Sequence, residues 1–485
     1  MNNSIQKMTN YRWGICAMLF FATIINYLDK QVLSLTWKDY IAPEFHWTNN
    51  HYGNITALFS IFYAISMLFA GRFIDKLGTK KGYLCAIGIW SVGACLHAFC
   101  GIATSGIVAG KWFVDFEGAK DAIGLIGNGS LIASTSVTLF IFARLILAVG
   151  EAGNYPAAIK ATAEYFPKKD RAFATSLFDT GSIIGALAAP LSIPIIADKY
   201  GWEAAFIIIG VLGFIWMGVW IFVYKKPTNN PHVNSAELAY IEQDGKYDNN
   251  STHHDQTIKK EANVSFIKCL KYKQTWAFAL GKFLTDGVWF FFLFWTPAYL
   301  SAVYGIKSSD PKGQLAIFML YLISLISIVG GWLPSYFVNK KGMNPYAGRM
   351  KTMLIFASFL LVALLAQPLG HISYWLPIIF IGIAMAGHQA WSANIFSTVG
   401  DMFPKKAIAT IIGIGGMAGG FGAFIINKSS GVLFDYAGQT QMTFMGFKGE
   451  EAGYFIIFSV CAFSHLLGWI VMKTLVPKYK PITDL

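Results

Sequence analysis

Long apolar stretches separated by short polar ones set the pattern of the chain. They run over residues 12–36, 52–71, 82–102, 134–156, 172–197, 203–224, 274–303, 314–337, 350–366, 373–399, 407–434 and 453–476. About 20 apolar residues carry an α-helix across about 30 Å of hydrocarbon, and most of these stretches reach that length. Within them the apolar residues are continuous rather than alternating. Backbone in lipid must satisfy its own hydrogen bonds, so the expected elements are helices and not strands of a closed barrel. The pattern predicts an all-α, multi-pass membrane protein with twelve transmembrane helices. The first stretch is too long for a signal-peptide core and continues into Asp29-Lys30, so it is expected to be retained.

One polar segment is longer than the rest. Lys225 to Phe266 is Asn-rich and highly charged, and it divides the chain into an expected six-helix unit over 1–224, a connector over 225–272 and a second six-helix unit over 273–485. Within it "SAELAYIEQ" predicts a short helix opened by Ser235, and the adjacent His253-His254 read as solvated rather than metal-binding. The two units repeat. A single shift of register carries Gly150 onto Gly387, Phe166-Pro167-Lys168-Lys169 onto Phe403-Pro404-Lys405-Lys406, Gly185-Ala186 onto Gly422-Ala423, Asp198 onto Asp435 and Gly201 onto Gly438. Parallel repeats of this kind build transporters whose substrate sits near the bilayer midplane between halves that rock about it. The repeated residues suit turns, basic loops and close helix contacts. Glu151 is different, because its counterpart is His388.

Composition and charge sharpen this picture. The 485 residues are 55% hydrophobic and 13% charged, against about 25% charged in soluble domains. A net charge of +12 invites a nucleic-acid reading, but most Lys and Arg fall on the two ends of the chain and on alternate loops. That is the positive-inside asymmetry; it places both termini in the cytoplasm and removes nucleic acid as a partner. The six cysteines lack metal or redox spacing and read as packing residues, so neither a metal nor a cofactor is expected. "GIGGMAGGFGA", Gly413 to Ala423, has no preceding strand; its small residues suit close helix contact, not phosphate binding.

Ionisable residues at membrane depth are costly and are functional candidates by default. Here they are Asp29, Lys30, Arg144, Glu151, Lys160, Asp179, Lys282, Asp286 and Lys428. Lys160 and Lys428 lie toward span ends and are expected to snorkel; Asp179 suits a cap or a functional role equally. Asp29 and Lys30 stand about 25 Å along the first span, with Lys30 the candidate contact for an anionic substrate and Asp29 a candidate proton carrier. Arg144 and Glu151 are two turns apart on one face, which Asn154 is expected to continue. Lys282, Asp286 and Trp289 form one stripe, in which Lys282 and Asp286 at i,i+4 also read as a plain helix pair. His388, Gln389, Ser392 and Asn394 cluster on span 10, where the amides offer donors and acceptors to sugar hydroxyls. Tyr27 and Tyr63 add hydroxyls and ring faces.

"GRFIDKLGTKKG", Gly71 to Gly82, resembles the loop signature of the major facilitator superfamily through Gly71, Asp75, Lys76, Gly78, Lys80 and Lys81. A degenerate second copy, "GGWLPSYFVNKKG" from Gly330, lacks the Asp. Within that superfamily the chain is similar to the anion:cation symporters, and most to bacterial hexuronate transporters. The similarity is carried by "NYLDKQVLSL" (Asn26 to Leu35), "ARLILAVGEAGNYPAAIKATAEYFP" (Ala143 to Pro167), "KFLTDGVWFFFLFWTPAYL" (Lys282 to Leu300) and "GHQAWSA" (Gly387 to Ala393). Lys30 stands where the family usually has Arg, Gly287 where hexuronate relatives commonly have Pro, and inserts near 103–133 and 436–451 lengthen two outer loops.

The resemblance implies two pseudo-symmetric six-helix bundles in a bacterial inner membrane, functioning as a monomer. It implies that Asp75 pairs with neighbouring helix ends when the site faces outward, that Arg144 pairs with Asp29, and that Glu151 is a second proton carrier. The expected activity is symport of a small anionic sugar acid with protons, with sodium as the alternative coupling ion and glucarate or an aldonate as the alternative substrate. A lipid-embedded enzyme would need clustered catalytic residues at an interface, and a nutrient sensor would need an added signalling domain. Neither is found in the sequence.

Overall fold

The computed structural model describes residues 7–243 and 265–482; His253 and His254 lie outside these. Long helices dominate: α1 (Tyr11–Thr36), α2 (Asn49–Leu77), α3 (Thr79–Ala98), α4 (Gly129–Glu151), α5 (Lys168–Tyr200), α6 (Trp202–Val223), α7 (Lys273–Tyr304), α8 (Pro311–Ser324, continuing as Ile328–Lys341), α9 (Pro345–Phe359), α10 (Trp375–Met402), α11 (Lys405–Thr440) and α12 (Glu450–Leu475). Among the described residues eleven helical segments are long and apolar enough to span a membrane, or twelve if α3 and Cys100–Ala109, bent by 49° at Phe99, form one span. The predicted span 82–102 crosses that bend. The outer inserts hold a helix at Phe116–Gly124 and a two-stranded hairpin pairing β1 (Thr443–Phe444) with β2 (Phe447–Lys448). The face of the bundle that bears the connector is called the connector face below, and the opposite one the far face.

The sequence repeat is visible in how the helices touch. A Cβ on Gly185 would lie 2.7 Å from the Ile24 carbonyl of α1, and one on its counterpart Gly422 would lie 1.9 Å from the Phe283 carbonyl of α7. Neither distance leaves room for a side chain, so each half brings equivalent helices together at backbone contact. Gly150 and Gly387 act likewise, against the backbone of Trp90 on α3 and of Phe356 on α9.

On the connector face, a helix at Ser235–Ile241 docks onto the first half. It begins at Ser235 as expected, and the Asn234 side chain before it accepts from the Glu237 N–H and caps it. Glu237 is fully buried, accepting from the Thr9 hydroxyl at 2.5 Å, the Tyr11 and Arg12 N–H groups at 2.9 and 3.0 Å, and the Arg12 guanidinium at 3.2 Å. Burial pushes the Glu237 carboxyl up, but these donors outweigh it and hold it below the usual glutamate value. A carboxyl lowered on folding contributes stability above its unfolded pKa and loses it as pH falls through the folded pKa. Removing one partner of a buried pair leaves the other uncompensated, so Glu237→Ala should cost about 3 kcal/mol at neutral pH. Thermal unfolding in detergent should show this gap, and the gap should close as pH drops below about 4; a gap independent of pH would count against the carboxylate as its cause.

Candidate functional site

The two halves are fastened together across the far face. Asp435 on α11 accepts from the backbone N–H groups of Asn49 and Asn50 at 2.9 and 2.8 Å, capping α2, whose positive dipole end favours the anion. Lys428 donates to the Asn50 and Asn54 side chains at 2.9 and 2.5 Å, and Asn49 to Glu450 at 3.2 Å. Asp39, in the π-turn Trp37–Ile41 after α1, accepts from Ser301 at 2.8 Å and from the Ser308 N–H at 2.9 Å. No comparable belt of hydrogen bonds joins the halves on the connector face among the described residues. This conformation is closed on the far face. Asp435→Ala removes two charge-assisted bonds, each worth about 1.5–3 kcal/mol, and should increase the population open to the far face at least about tenfold. Spin labels at the exposed Lys111 and Met445 would read that opening, and an unchanged distance distribution would count against the latch.

The loop motif behaves consistently with that state. Asp75 is exposed and pairs with Lys160 of its own half at 2.8 Å. Lys80 donates to the Ile221 carbonyl at 2.5 Å. Gly78 lies at φ 79°, a conformation open to glycine, and separates α2 from α3. Gly71, Lys76 and Lys81 are partly or largely exposed around this turn.

Within the first half, Asp29, Lys30, Arg144 and Glu151 are all at least 93% buried, with exposures of 1%, 7%, 2% and 1%. They lie within electrostatic reach of one another. Lys30 donates to Asn26 at 3.0 Å, and its ammonium stands 4.8 Å from the Tyr27 ring and 5.1 Å from the Tyr63 ring, an aromatic cradle for a cation. Arg144 stands 5.0 Å from the Phe59 ring. Neither carboxylate oxygen of Asp29 or Glu151 has a hydrogen-bond partner, nor do Nε and Nη1 of Arg144. The expected Arg144–Asp29 pair is therefore not closed in this conformation: the four ion pairs found among the described residues are Arg12–Glu237, Lys160–Asp75, Lys282–Asp286 and Arg349–Asp401. The guanidinium rests on an aromatic face instead.

Asn154 is buried and already engaged. The regular helix is interrupted at Ala152–Gly153 and resumes at Asn154, with both intervening residues in right-handed helical conformation. The Asn154 carbonyl oxygen is taken by the Tyr83 hydroxyl at 2.7 Å. Asp179 is exposed and accepts from Tyr155 at 2.6 Å, a side-chain contact rather than a cap. Lys160 and Lys428 are held at opposite faces, as snorkelling residues would be.

Across from this cluster, Lys282 and Asp286 form the helix pair at 2.7 Å, and the Lys282 ammonium lies 4.1 Å from the Phe396 ring. Trp289 stacks on His388 with ring centroids 5.6 Å apart and 15° between planes. Trp289, Tyr321, Ser324 and Gln389 of the second half face Tyr27 and Ser182 of the first across a small crevice between the halves. Ser392 is half-buried. Asn394 points elsewhere, donating to the Gly330 and Ala390 carbonyls at 2.9 and 2.8 Å and bracing α8 against α10. Two participants escaped sequence reasoning. Phe59 gives no signal beyond hydrophobicity. His465, in the last apolar run, is itself an intramembrane ionisable residue and was open to the same reasoning as the others.

Comparison with known proteins agrees with this architecture. A sequence profile described as Major Facilitator Superfamily matches residues 19–426. A hexuronate transporter of Escherichia coli K12 is 28% identical over 474 residues, covering 97% of this chain and 95% of its own. A galacturonate transporter of Dickeya chrysanthemi is 26% identical over 343 residues, covering 71% and 87%. Among solved structures, the xylose transporter of E. coli in a partially occluded inward-open conformation superposes with a TM-score of 0.65 at 14% identity, covering 97% of this chain and all of its own. These relatives are transporters and not enzymes. With eleven or twelve candidate spans among the described residues and the profile matched over most of its length, the chain belongs to the Major Facilitator Superfamily.

Proposed function

We propose that the protein is a proton-coupled symporter that imports a sugar acid, a hexuronate such as galacturonate or glucuronate, by alternating access. The observation that carries this reading is the buried group of Asp29, Lys30, Arg144 and Glu151, whose two carboxylates have no donor. An ionised carboxylate without a donor is costly in a water-excluded site. A proton removes that cost, and a cation drawn close removes it as well. A rearrangement that brings Arg144 to Asp29 in one state and withdraws it in the other would exchange the proton as access switches. Lys30 then remains to meet the substrate carboxylate, while Gln389 and the Trp289–His388 wall face the sugar.

Coupling has a thermodynamic purpose. Importing an anion against an inside-negative potential costs about 2.3 kcal/mol per charge per 100 mV. One proton cancels the charge, and two make entry electrically favourable. In this reading the connector face is cytoplasmic in a bacterial inner membrane, both termini lie on that side, the far-face latch holds the site inward, and one chain suffices.

A second reading rests on Lys30 itself. An ammonium is a point charge and lacks the two-pronged fork of arginine, so it suits other carboxylates, such as glucarate or an aldonate, and sodium could replace the proton at the same carboxylates. Uptake of labelled galacturonate, glucuronate and gluconate into proteoliposomes under an imposed pH gradient, with and without sodium, decides between them. Accumulation that follows sodium and ignores the pH gradient would sink the proton reading.

A further inference from the structure

Two histidines meet at the base of the second half's wall, and only one was expected there. His388 on α10 and His465 on α12 are 4% and 0% exposed, with Nδ1 of His388 3.1 Å from Nε2 of His465. The rings meet edge to face at 82°. Trp391 covers His465, its ring centroid 5.2 Å away, and Trp289 fixes the plane of His388 by stacking. Nδ1 of His465 has no partner and is sealed from solvent. Nε2 of His388 is different: it makes no hydrogen bond to the protein, yet it is not among the sealed, orphaned atoms. It therefore keeps some accessible surface, next to Trp289 and Gln389, which line the crevice between the halves.

Two neutral rings sharing one hydrogen bond can do so in two ways. If His388 donates from Nδ1, then His465 carries its own proton on Nδ1, and an N–H is buried with no acceptor. If His465 donates from Nε2, its Nδ1 is a bare lone pair, and His388 carries its proton on Nε2. Orphaned buried N–H groups are rarer than under-satisfied acceptors, and an unmade donor bond carries the full desolvation penalty. The second arrangement is favoured.

We infer that His465 is a positioning residue that fixes the tautomer of His388, so that the Nε2–H of His388 faces the space between the halves as a donor for an oxygen of the transported anion. The assignment of that oxygen to a sugar acid rests on the function proposed above. The consequence is selectivity: a substrate presenting a hydroxyl or carboxylate oxygen to that donor is held, and an analogue lacking it leaves the N–H unpaired.

The test is ¹⁵N NMR of histidine-labelled protein in lipid, with the His388 signals assigned by their loss in His388→Gln. The wild type should show His388 protonated on Nε2. His465→Phe keeps the ring's bulk without its N–H and should leave His388 as a mixture of tautomers; His465→Gln returns an N–H donor and should restore the wild-type spectrum. In counterflow with labelled galacturonate, His465→Phe should lose about tenfold in apparent affinity, as expected for one mispaired hydrogen bond. Its maximal rate should stay within about twofold, and His465→Gln should recover the affinity. A wild-type His388 protonated on Nδ1, or a tautomer unmoved by His465→Phe, overturns the inference. If His465→Phe fails to fold, the wild-type spectrum decides alone. Absence of galacturonate transport by the wild type would count against the substrate reading instead, and the spectra would still decide the role of His465.

Discussion

In proteoliposomes, Glu151→Gln should abolish accumulation of labelled galacturonate under an inward proton gradient while leaving counterflow exchange partly intact. Glutamine keeps the shape and hydrogen-bonding capacity of the protonated acid but cannot release a proton. Glu151 is 1% exposed with neither oxygen bonded, so the neutral amide replaces a group that the site already accommodates without a partner, and the fold should tolerate it. What changes is the linkage. With no proton to carry, the two access states no longer differ in protonation at this position, and the gradient cannot bias one over the other. Uphill uptake should fall to the level of passive exchange. A variant that still concentrates substrate as the wild type does would remove Glu151 from the coupling path and leave Asp29 as the candidate.

Lys30→Met should weaken galacturonate binding about 100-fold. The ammonium is a buried cation without a carboxylate partner within ion-pair distance, as is the Arg144 guanidinium against Phe59, whereas Lys282 is already neutralised by Asp286 at 2.7 Å. A hydrogen bond to a charged group contributes about 1.5–3 kcal/mol, a factor of roughly 10 to 150 in affinity. Two aromatic rings, Tyr27 and Tyr63, hold that charge in place and strengthen the case for a preorganised anion contact. Methionine preserves length and packing, so the loss should appear in binding and not in thermal stability. Lys30→Arg keeps the charge and should retain affinity within about tenfold. Equilibrium binding to purified protein reads both variants; equal affinity in Lys30→Met would place the substrate carboxylate elsewhere.

The elements were largely legible from the chain because hydrocarbon leaves the backbone few options. Continuous apolar runs of adequate length become helices whatever their neighbours do, and the runs ending at 36, 71 and 224 correspond to helices ending at Thr36, Leu77 and Val223. The breaks were harder. Nothing in "AVGEAGNYP" reveals the interruption at Ala152–Gly153 or that the Asn154 side chain is taken by the Tyr83 hydroxyl. Asn394 illustrates the same limit: its position on α10 was correct, yet its amide is committed to the carbonyls of Gly330 and Ala390.

By itself the sequence determined the class of fold, the two-fold repeat and the set of ionisable residues within the apolar stretches. These follow from composition, periodicity and the cost of charge in lipid, which act along the chain. Only the tertiary structure decided which charges are paired. Arg144 rests on Phe59 and not on Asp29, Asp29 and Glu151 do not find donors, and Asp435 of one half caps a helix of the other. Pairing depends on how far apart side chains from separate helices come to rest. That distance is set by glycine contacts and helix breaks, and these take effect only once the bundle has packed.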